Sequence, residues 1–501
     1  MVQLGMKKFR KITVKLTIYW AVGVLLMSYT AVAQGDNHVL LTLDESIEWA
    51  LAEGESVISA RLRSLVAQAD TEIARSRYDT RFQAFAQYED AGLPMRGNPL
   101  IQGSESTVAE AGLFRTLSRG TDIGLQTDVG RFRYDSEPGF PLPPELTMAT
   151  TRFSITQPLW RNAWGALDRA QNRAAQARFT ASELSYDDAR EAIAGLVHSL
   201  FWRVYMAEAN AEANARSLDW ASRLAEISEQ RYADRLIDKS DLLSAQAAVA
   251  IRQAESLQDR LQVDQVRLQL FEVIGWPVER WKDTQFVYPD SVTESLFAEE
   301  DLDVQTVFAE ALSQRSDYQA LNYEREAWLK DAEIARQAGR PGVDLQATYG
   351  VGADGPGSRD AWGTDETAWS VGVSVDVAIG QRAERARREQ ARLNQELVEI
   401  RQQQMARQIY RELAESRRGY EAALAKREAT GRAVALYQRR LALEEERLAQ
   451  GRSTTEQVIR FRDELERAEH QYIVTRADLE MAQAAFALAR GVLLAEREMH
   501  K

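Results

Sequence analysis

The sequence has no cysteine, and this absence excludes several kinds of functional site. Disulfides, thiolate metal ligands, cysteine nucleophiles and a lipidated N-terminal cysteine are all ruled out. The P-loop, GxSxG and HExxH motifs are also absent from the sequence. The few histidines lie too far apart for a local metal-ligand pair, at His38, His198, His470 and His500. We therefore expect no catalytic residues, no metal or other cofactor, and no enzymatic activity.

Long apolar runs are missing as well, except for one near the N-terminus. Hydrophobic residues make up 45% of the chain and charged residues 27%, whereas a helical-bundle membrane protein needs several apolar runs of about 20 residues. The run at 16–29 follows five basic residues, and Ala31-Val32-Ala33 offers a cleavage site, so residues 1–33 are predicted to be a signal peptide. A single anchoring helix is the alternative, although the run is short for a span.

The charge balance is acidic, with a formal net charge of −13. Removal of residues 1–33 takes away five basic and no acidic residues, so the mature chain would carry −18. A chain of this charge is not expected to bind nucleic acid.

Proline is scarce, and its placement leaves room for two long helices. The eleven prolines leave 159–276 and 357–501 free, and both tracts are rich in strong helix formers. Helices are predicted over 162–233 and 381–449, with lengths of about 108 and 104 Å at the α-helical rise. Helices of this length predict a coiled-coil or tubular assembly rather than a compact globule.

Alternating segments between these helices predict membrane strands. Apolar residues occupy every second position from Trp369 to Ile379 and again over 343–351, with weaker alternation at 81–89 and 151–160. A tilted strand of this length spans a bilayer in a β-barrel, with apolar residues facing the lipid. A soluble amphipathic sheet is the alternative, but the adjacent helices are too long to give it a core.

The chain contains an internal duplication. Residues 50–88 align without gaps to 311–349 at an offset of 261, and 231–242 align to 447–458 at an offset of 216. The first repeat therefore has about 45 additional residues, which lie between Tyr88 and the first long helix. Each repeat is predicted to run helix, strand, loop, strand, long helix, turn, helix.

The predicted boundaries follow from this duplication. The first repeat is predicted over 34–274, with strands within about 80–160 and its last helix at 240–274. An equatorial linker follows over 275–302. The second repeat is predicted over 303–491, with its last helix at 456–490, and 492–501 form a C-terminal tail.

The additional residues predict a further hairpin, 107–117 and 121–134 around Arg119-Gly120. Two interpretations stay open: an extended hairpin on the outer surface, or one long strand pair with a bulge. Six barrel strands per protomer is a less favoured third option.

In order and spacing, several short motifs resemble those of the TolC-like outer membrane efflux proteins, across nearly the whole mature chain. They are Leu43–Leu51, Phe153–Leu159, Gln230–Leu242, Arg315-Ser-Asp317 with Arg340-Pro341, and Gly451–Thr454. The resemblance implies a mainly helical protein with membrane β-structure. Its homotrimer would form a periplasmic α-barrel and one shared outer-membrane β-barrel, with about four strands from each protomer.

The resemblance also implies a function in the Gram-negative outer membrane, reaching into the periplasm. The chain would be the passive exit duct of a tripartite efflux or type I secretion system, with a periplasmic adaptor, an inner-membrane transporter and outer membrane lipid as partners. The alternative is a periplasmic adaptor or coiled-coil envelope scaffold without a barrel.

The same resemblance assigns the periplasmic tips to two helix turns. Adaptor contact falls on Arg235, Leu236, Gly451, Arg452 and Ser453, and Arg235 stands where the family usually has glycine. Asp241 and Arg452 correspond to a charge pair that ties neighbouring helices in the closed state; two solvated charges are the alternative. The acidic gate positions of some relatives fall on Gln457 and Arg460, so a neutral or cationic constriction is expected.

Two tryptophans stand at the predicted strand-to-helix junction, Trp160 and Trp164. Because tryptophan favours the membrane–water interface, they predict a periplasmic-side aromatic girdle. Ordinary core packing is the alternative.

Overall fold

The computed structural model describes residues 39–91, 101–136, 145–289, 304–355, 366–450 and 452–499. The predicted signal peptide, Gly451 and part of the equatorial linker lie outside these residues. In the described chain the helices are α1 Leu43–Glu53, α2 Glu55–Arg75, α3 Ala166–Ala233, α4 Lys239–Ile274, α5 Val304–Gln314, α6 Ser316–Ala338, α7 Arg382–Ala449, α8 Thr455–Arg490 and α9 Leu493–Met499. The strands are β1 Val39–Leu41, β2 Arg81–Ala91, β3 Ile101–Thr116, β4 Asp122–Ser136, β5 Glu145–Pro158, β6 Thr284–Phe286, β7 Gly342–Gly355 and β8 Glu366–Asp376.

The two repeats have helices of matching length. The long helices α3 and α7 each contain 68 residues, about 102 Å, and α4 and α8 each contain 36. The short helices α1 and α5 contain 11 residues each. None of the described helices combines the length and the apolar character needed to cross a membrane. The repeats therefore differ mainly in what lies between the second and third helix of each.

The main core lies near the middle of the long helices, where corresponding residues of the two repeats meet. Ile193 and Val197 of α3 are buried beside Ile409 and Leu413 of α7, each pair separated by 216 positions. Leu270 of α4 and the equivalent Phe486 of α8 are buried in the same cluster. Parallel strands β1 and β6 cover one side of it. This core joins the two repeats at the equator of the protomer.

A capping box begins α1. The Thr42 hydroxyl accepts a hydrogen bond from the Glu45 amide at 3.3 Å, and the Glu45 carboxylate accepts one from the Thr42 amide at 2.9 Å. This reciprocal pair satisfies two amides that the first turn would leave without partners.

One antiparallel sheet contains six strands in the order β2-β3-β4-β5-β7-β8. The expectation of about four strands per protomer is therefore wrong for this sheet. The difference is the hairpin β3–β4, which is hydrogen-bonded between β2 and β5 instead of standing outside the sheet. The less favoured third option, six strands, describes the sheet correctly. The strand predicted over 367–379 ends at Asp376, before its last alternating residues.

The first long helix begins at Ala166 rather than at residue 162. Asn162, Trp164 and Gly165 have φ angles of 59°, 54° and 76°, which are left-handed and cannot continue into an α-helix. The segment 163–165 forms a single 3₁₀ turn that redirects the chain from β5 into α3.

Candidate functional site

The sheet has one apolar face, and this face runs across all six strands without interruption. Registered neighbours place Phe82, Leu113, Leu125, Phe153, Tyr349 and Trp369 side by side in one row. The next row along contains Ala84, Ala111, Thr127, Thr151, Val351 and Thr367 by the same registers. Side chains alternate between faces along a strand, so these residues share one side. We call this side the apolar face.

Charged residues of the apolar side lie only near its two ends. At the end remote from the helices, Arg133 pairs with Glu105 at 3.0 Å, and Arg131 pairs with Glu145 at 2.5 Å. At the helical end stands Arg115. The band between them is uncharged, as a lipid-facing surface requires, because ionised side chains at mid-bilayer cost several kcal/mol.

The opposite, polar face carries most of the charge of the sheet. Its alternate positions hold eight acidic and two basic residues, namely Glu89, Glu110, Asp122, Asp128, Asp344, Asp354, Glu366 and Asp376, with Arg81 and Arg152. In the described part of the chain, no three histidine, aspartate or glutamate side chains are grouped so that they could hold a metal ion. The polar face is therefore a dispersed acidic surface.

Aromatic rings cover glycines on the polar face of the hairpin. A Cβ added to Gly112 or Gly124 would approach the Phe114 ring to 2.8 or 2.9 Å, and one added to Gly130 would approach Phe132 to 2.7 Å. The rings thus lie against the backbone of their own hairpin. Such aromatic–glycine pairs help fix the register of a sheet.

The turn of the hairpin packs against the strand-to-helix junction. Gly120 has a φ of 74°, and a Cβ there would lie 2.8 Å from the Gly165 nitrogen. Thr121 Oγ1 donates to Gln157 Oε1 at 2.5 Å, which joins the turn to β5. Because both glycines are left-handed and in close contact, neither position has room for a side chain.

Asn162 and Asp168 hold the junction in place. Asn162 Oδ1 accepts hydrogen bonds from the amides of Leu167 and Asp168 at 2.9 and 3.3 Å, which caps the first turn of α3. Asp168 is buried and pairs with Arg77 at 2.6 Å, just before β2 begins. Strand β2, strand β5 and helix α3 are thereby tied together at one point.

Trp160 and Trp164 are both exposed in the protomer, at 52% and 61% of their surface. Within this chain they do not form part of a core. Their position beside the helical end of the apolar face agrees with an interfacial girdle, which stays a prediction.

The first tip turn connects α3 to α4. Arg235 has a left-handed φ of 62°, and its amide donates to the Tyr232 carbonyl at 3.0 Å. Leu236 follows with 71% of its surface exposed, and its amide donates to the Arg231 carbonyl at 2.8 Å. This is the backbone geometry that glycine usually adopts at a helix end. Arg235 therefore adopts a left-handed turn conformation that favours glycine.

The second tip turn connects α7 to α8, and Ser453 is its main anchor. The Ser453 hydroxyl lies 2.5 Å from Glu444 Oε1 and 3.0 Å from Gln457 Oε1. The hydrogen bond from Ser453, with a further contribution from Arg447, lowers the pKa of Glu444. Thr454 caps α8, since its hydroxyl accepts from the Gln457 amide at 3.3 Å. Ser453 is therefore half-buried, whereas Arg452 is exposed.

Asp241 and Arg452, the predicted charge pair, are not joined within the described part of one chain. Both are exposed, and the Arg452 guanidinium lies 3.5 Å from the Gln450 side-chain oxygen. Gln457 is also exposed, and Arg460 lies over the Phe461 ring at 5.3 Å. All four residues stand within the first turns of α4 and α8 or in the adjoining loop.

The Arg315-Ser-Asp317 motif has a structural explanation. Arg315 pairs with Asp317 at 2.6 Å and with Glu412 of α7 at 2.5 Å, which ties the corner between α5 and α6 to a long helix. Its side chain is 13% exposed. Gly491, at a φ of 77°, packs on it so closely that a Cβ would lie 2.9 Å from Arg315 Cγ.

From the sequence, the hairpin strands were expected in the sheet only under the less favoured option, although a signal was present. Ala109, Ala111 and Leu113 on β3, with Ile123 and Leu125 on β4, alternate with more polar or smaller residues. Alanine and threonine weaken this alternation, because their small side chains distinguish poorly between a lipid-facing and a polar position.

Comparison with known proteins supports the same architecture. The family model described as "Outer membrane efflux protein" matches residues 122–276. No curated protein sequence matches the chain.

Solved structures of similar fold cover about nine-tenths of the chain. The outer membrane protein VceC of Vibrio cholerae is 18% identical with a TM-score of 0.64, over 90% of this chain and 96% of that one. The CmeC outer membrane channel of Campylobacter jejuni is 15% identical with a TM-score of 0.68, over 91% and 88%. The MtrE outer membrane channel of Neisseria gonorrhoeae is 17% identical with a TM-score of 0.62, over 90% and 89%.

The mainly helical two-repeat fold predicted from the sequence is that of these channel structures, which agrees with the expectation that the chain is not an enzyme. The resemblance read from the sequence is thereby confirmed: the family model matches residues 122–276, and the chain has the fold of the solved outer membrane channels.

Proposed function

We propose that this protein is an outer membrane channel, through which solutes pass passively from the periplasm to the exterior. The observation that supports this function most strongly is the uninterrupted apolar face, backed by an acidic polar face, at one end of helices about 102 Å long. A sheet with these faces separates lipid from water when it closes.

Closure requires further copies of the chain. In the described residues, β2 and β8 are the two ends of the sheet, so each has a strand on one side only. Six strands fall short of the eight at which known closed outer-membrane barrels begin. A homotrimer, in which β8 of one copy pairs with β2 of the next, would satisfy both edges.

Exposed apolar side chains on the helices support the same assembly. Large hydrophobic residues with more than half of their surface exposed include Leu243, Ile251, Leu257 and Leu261 on α4. On the second repeat, Leu436 and Leu443 of α7 are exposed to a similar extent. Neighbouring copies in a helical barrel would bury these residues.

Membrane fractionation with cross-linking of the expressed protein tests this function. We expect the protein in the outer membrane fraction, a cross-linked ladder ending at three copies, and ion conductance in planar bilayers. A soluble monomer without conductance would contradict the channel and favour an adaptor or envelope scaffold.

We further propose that the channel is the outer component of a tripartite efflux or type I secretion system. The tip turns around Arg235, Leu236, Gly451, Arg452 and Ser453 would contact a periplasmic adaptor, which joins the channel to an energised inner-membrane transporter. Single substitution Leu236→Asp should abolish co-purification of the adaptor while the trimer persists. The substitution Ser222→Asp, at an exposed position of α3, is the matched control for an added charge.

The proposed gate pairs Asp241 of one copy with Arg452 of a neighbouring copy. Replacing both residues by alanine should raise the single-channel conductance several-fold, because the helix ends would no longer be held together. The double substitution Asp219→Ala and Arg223→Ala removes an exposed pair inside α3 instead, at 2.6 Å, and should leave conductance unchanged. Equal conductance in the wild type and the Asp241/Arg452 variant would contradict this gate.

A further inference from the structure

We infer that the hairpin β3–β4 is part of the membrane wall, so that the assembled trimer has an eighteen-stranded barrel instead of a twelve-stranded one. This inference rests on the proposed trimeric channel. It concerns the position of the hairpin in the barrel wall and the width of the barrel.

The hydrogen-bond register is the first argument. Strand β3 pairs with β2 over Ser104–Phe114, and β4 pairs with β5 over Asp122–Arg133. The hairpin is therefore bonded on both sides along nearly its full length. A hairpin that stood on the outer surface would leave β2 and β5 paired directly with each other.

Its two faces give the second argument. Ala109, Ala111 and Leu113 on β3, and Leu125 and Val129 on β4, continue the apolar face of the flanking strands. Glu110, Asp122 and Asp128 of the hairpin point to the opposite side and supply three of its eight acidic residues. The hairpin thus has the two-sided pattern of a wall strand.

The third argument is the depth that the hairpin reaches. Its turn lies at the helical end of the sheet, where Gly120 contacts Gly165 and Arg169 Nη1 donates to the Ser118 carbonyl at 3.4 Å. Strands β3 and β4 therefore extend from the remote end to the strand-to-helix junction. They cover the whole height of the apolar face.

A wider exit is the functional consequence. Barrel diameter grows roughly linearly with the number of strands, so an eighteen-stranded barrel is about 1.5 times as wide as a twelve-stranded one. At this size the lumen is an aqueous channel, as in porins of 16–18 strands. The outer barrel would then pass bulkier hydrophilic solutes than a twelve-stranded barrel, and the periplasmic tips would set the size limit.

Single engineered cysteines can test the position of the hairpin, because the wild-type chain has none. Three substitutions place a thiol on the apolar face, Ala109→Cys, Ala111→Cys and Val129→Cys. Three place it on the polar face, Glu110→Cys, Gln126→Cys and Asp128→Cys. Val371→Cys and Gly372→Cys are the reference pair on β8. Each purified trimer is reconstituted into liposomes and treated with a charged, membrane-impermeant thiosulfonate, and labelling is compared with that after denaturation.

We expect the polar-face thiols to be labelled and the apolar-face thiols to be protected at least tenfold, on the hairpin as on β8. Labelling of all six hairpin positions, with alternation retained on β8, would overturn the eighteen-stranded barrel and leave the channel intact. Loss of alternation on β8 as well would contradict the proposed channel itself.

Discussion

The first and second repeats differ in the sheet and resemble each other elsewhere. Both have long helices of 68 residues and following helices of 36, and their buried core residues correspond at a fixed offset of 216. The first repeat contributes four strands to the sheet and the second only two. An antiparallel sheet can accept a complete hairpin without disturbing its neighbours, because two strands restore the chain direction. The helices cannot change length so easily, since both repeats must reach the same tips.

The corners between the short helices show a second difference. The first repeat has Gly54 at the corner, whereas the second has Arg315 at the equivalent position, 261 residues later. A Cβ at Gly54 would meet the Ala50 carbonyl oxygen at 2.3 Å, so the first corner is close-packed backbone. The second corner is instead held by the ion pairs of Arg315 with Asp317 and Glu412.

Arg315→Met should have the largest effect on stability. It leaves two partly buried carboxylates without their cation, each with one neutral donor, Tyr318 N or Gln408 Nε2. The expected cost is about 3 kcal/mol in the free energy of unfolding. Denaturant titration of the purified trimer, followed by circular dichroism, measures this loss. Arg315→Lys should recover part of it, and a loss below about 0.5 kcal/mol for the methionine variant, the scale of an exposed pair, would show that the corner does not depend on this residue.

Gly120→Ala tests the docking of the hairpin that only the first repeat has. The left-handed φ and the contact with Gly165 predict a loss of about 2 kcal/mol in the free energy of unfolding. Gly372→Ala on β8 is the matched control, because nothing lies within 4 Å of a Cβ there. Equal stability of the two variants would mean that the turn is not packed on the junction.

His198 makes the stability of the first repeat depend on pH. Burial, with a smaller contribution from Arg497, lowers the pKa of His198 to about 3. The unfolded chain takes up a proton near the ordinary histidine pKa of 6.5, so stability is retained above that pH and falls below it. At pH 5.5 the loss relative to pH 7.5 should be about 1.4 kcal/mol from this residue.

The second repeat supplies the control for this pH effect. It has Ala414 at the position equivalent to His198. In His198→Ala, the difference in unfolding free energy between pH 7.5 and 5.5 should shrink by the stated amount, whatever the absolute stability. An unchanged difference would mean that His198 takes up its proton over the same pH range in the folded and the unfolded chain.

Arg235→Gly should have the smallest effect on the free energy of unfolding, and it should increase that free energy. Glycine removes the backbone strain of a left-handed arginine at the first tip. After the greater conformational freedom of glycine in the unfolded chain is subtracted, the net gain in stability is about 1 kcal/mol. The variant also makes the first tip similar to the second, which carries Gly451. The unfolding midpoint of the trimer measures the gain, and a decrease would indicate that the Arg235 side chain has stabilising contacts in the assembly.

The helices could be predicted from the sequence more closely than the sheet. Proline-free tracts and the duplication placed both long helices, because a helix is defined by local residues and breakers. The start at Ala166 was missed, since Asn162, Trp164 and Gly165 are left-handed at a junction packed against the hairpin turn, which lies more than 40 residues earlier in the sequence. The place of the hairpin in the sheet was only the less favoured option, because strand pairing joins residues far apart and Ala109 or Thr127 alternate only weakly with their neighbours.

Electron cryomicroscopy of the purified protein in lipid nanodiscs tests the central claim most directly. We expect a trimer whose β-barrel is embedded in lipid and closed by eighteen strands, with β8 of each copy beside β2 of the next. A soluble particle without a barrel would contradict the channel, and a twelve-stranded barrel with the hairpin outside the wall would contradict its wider exit.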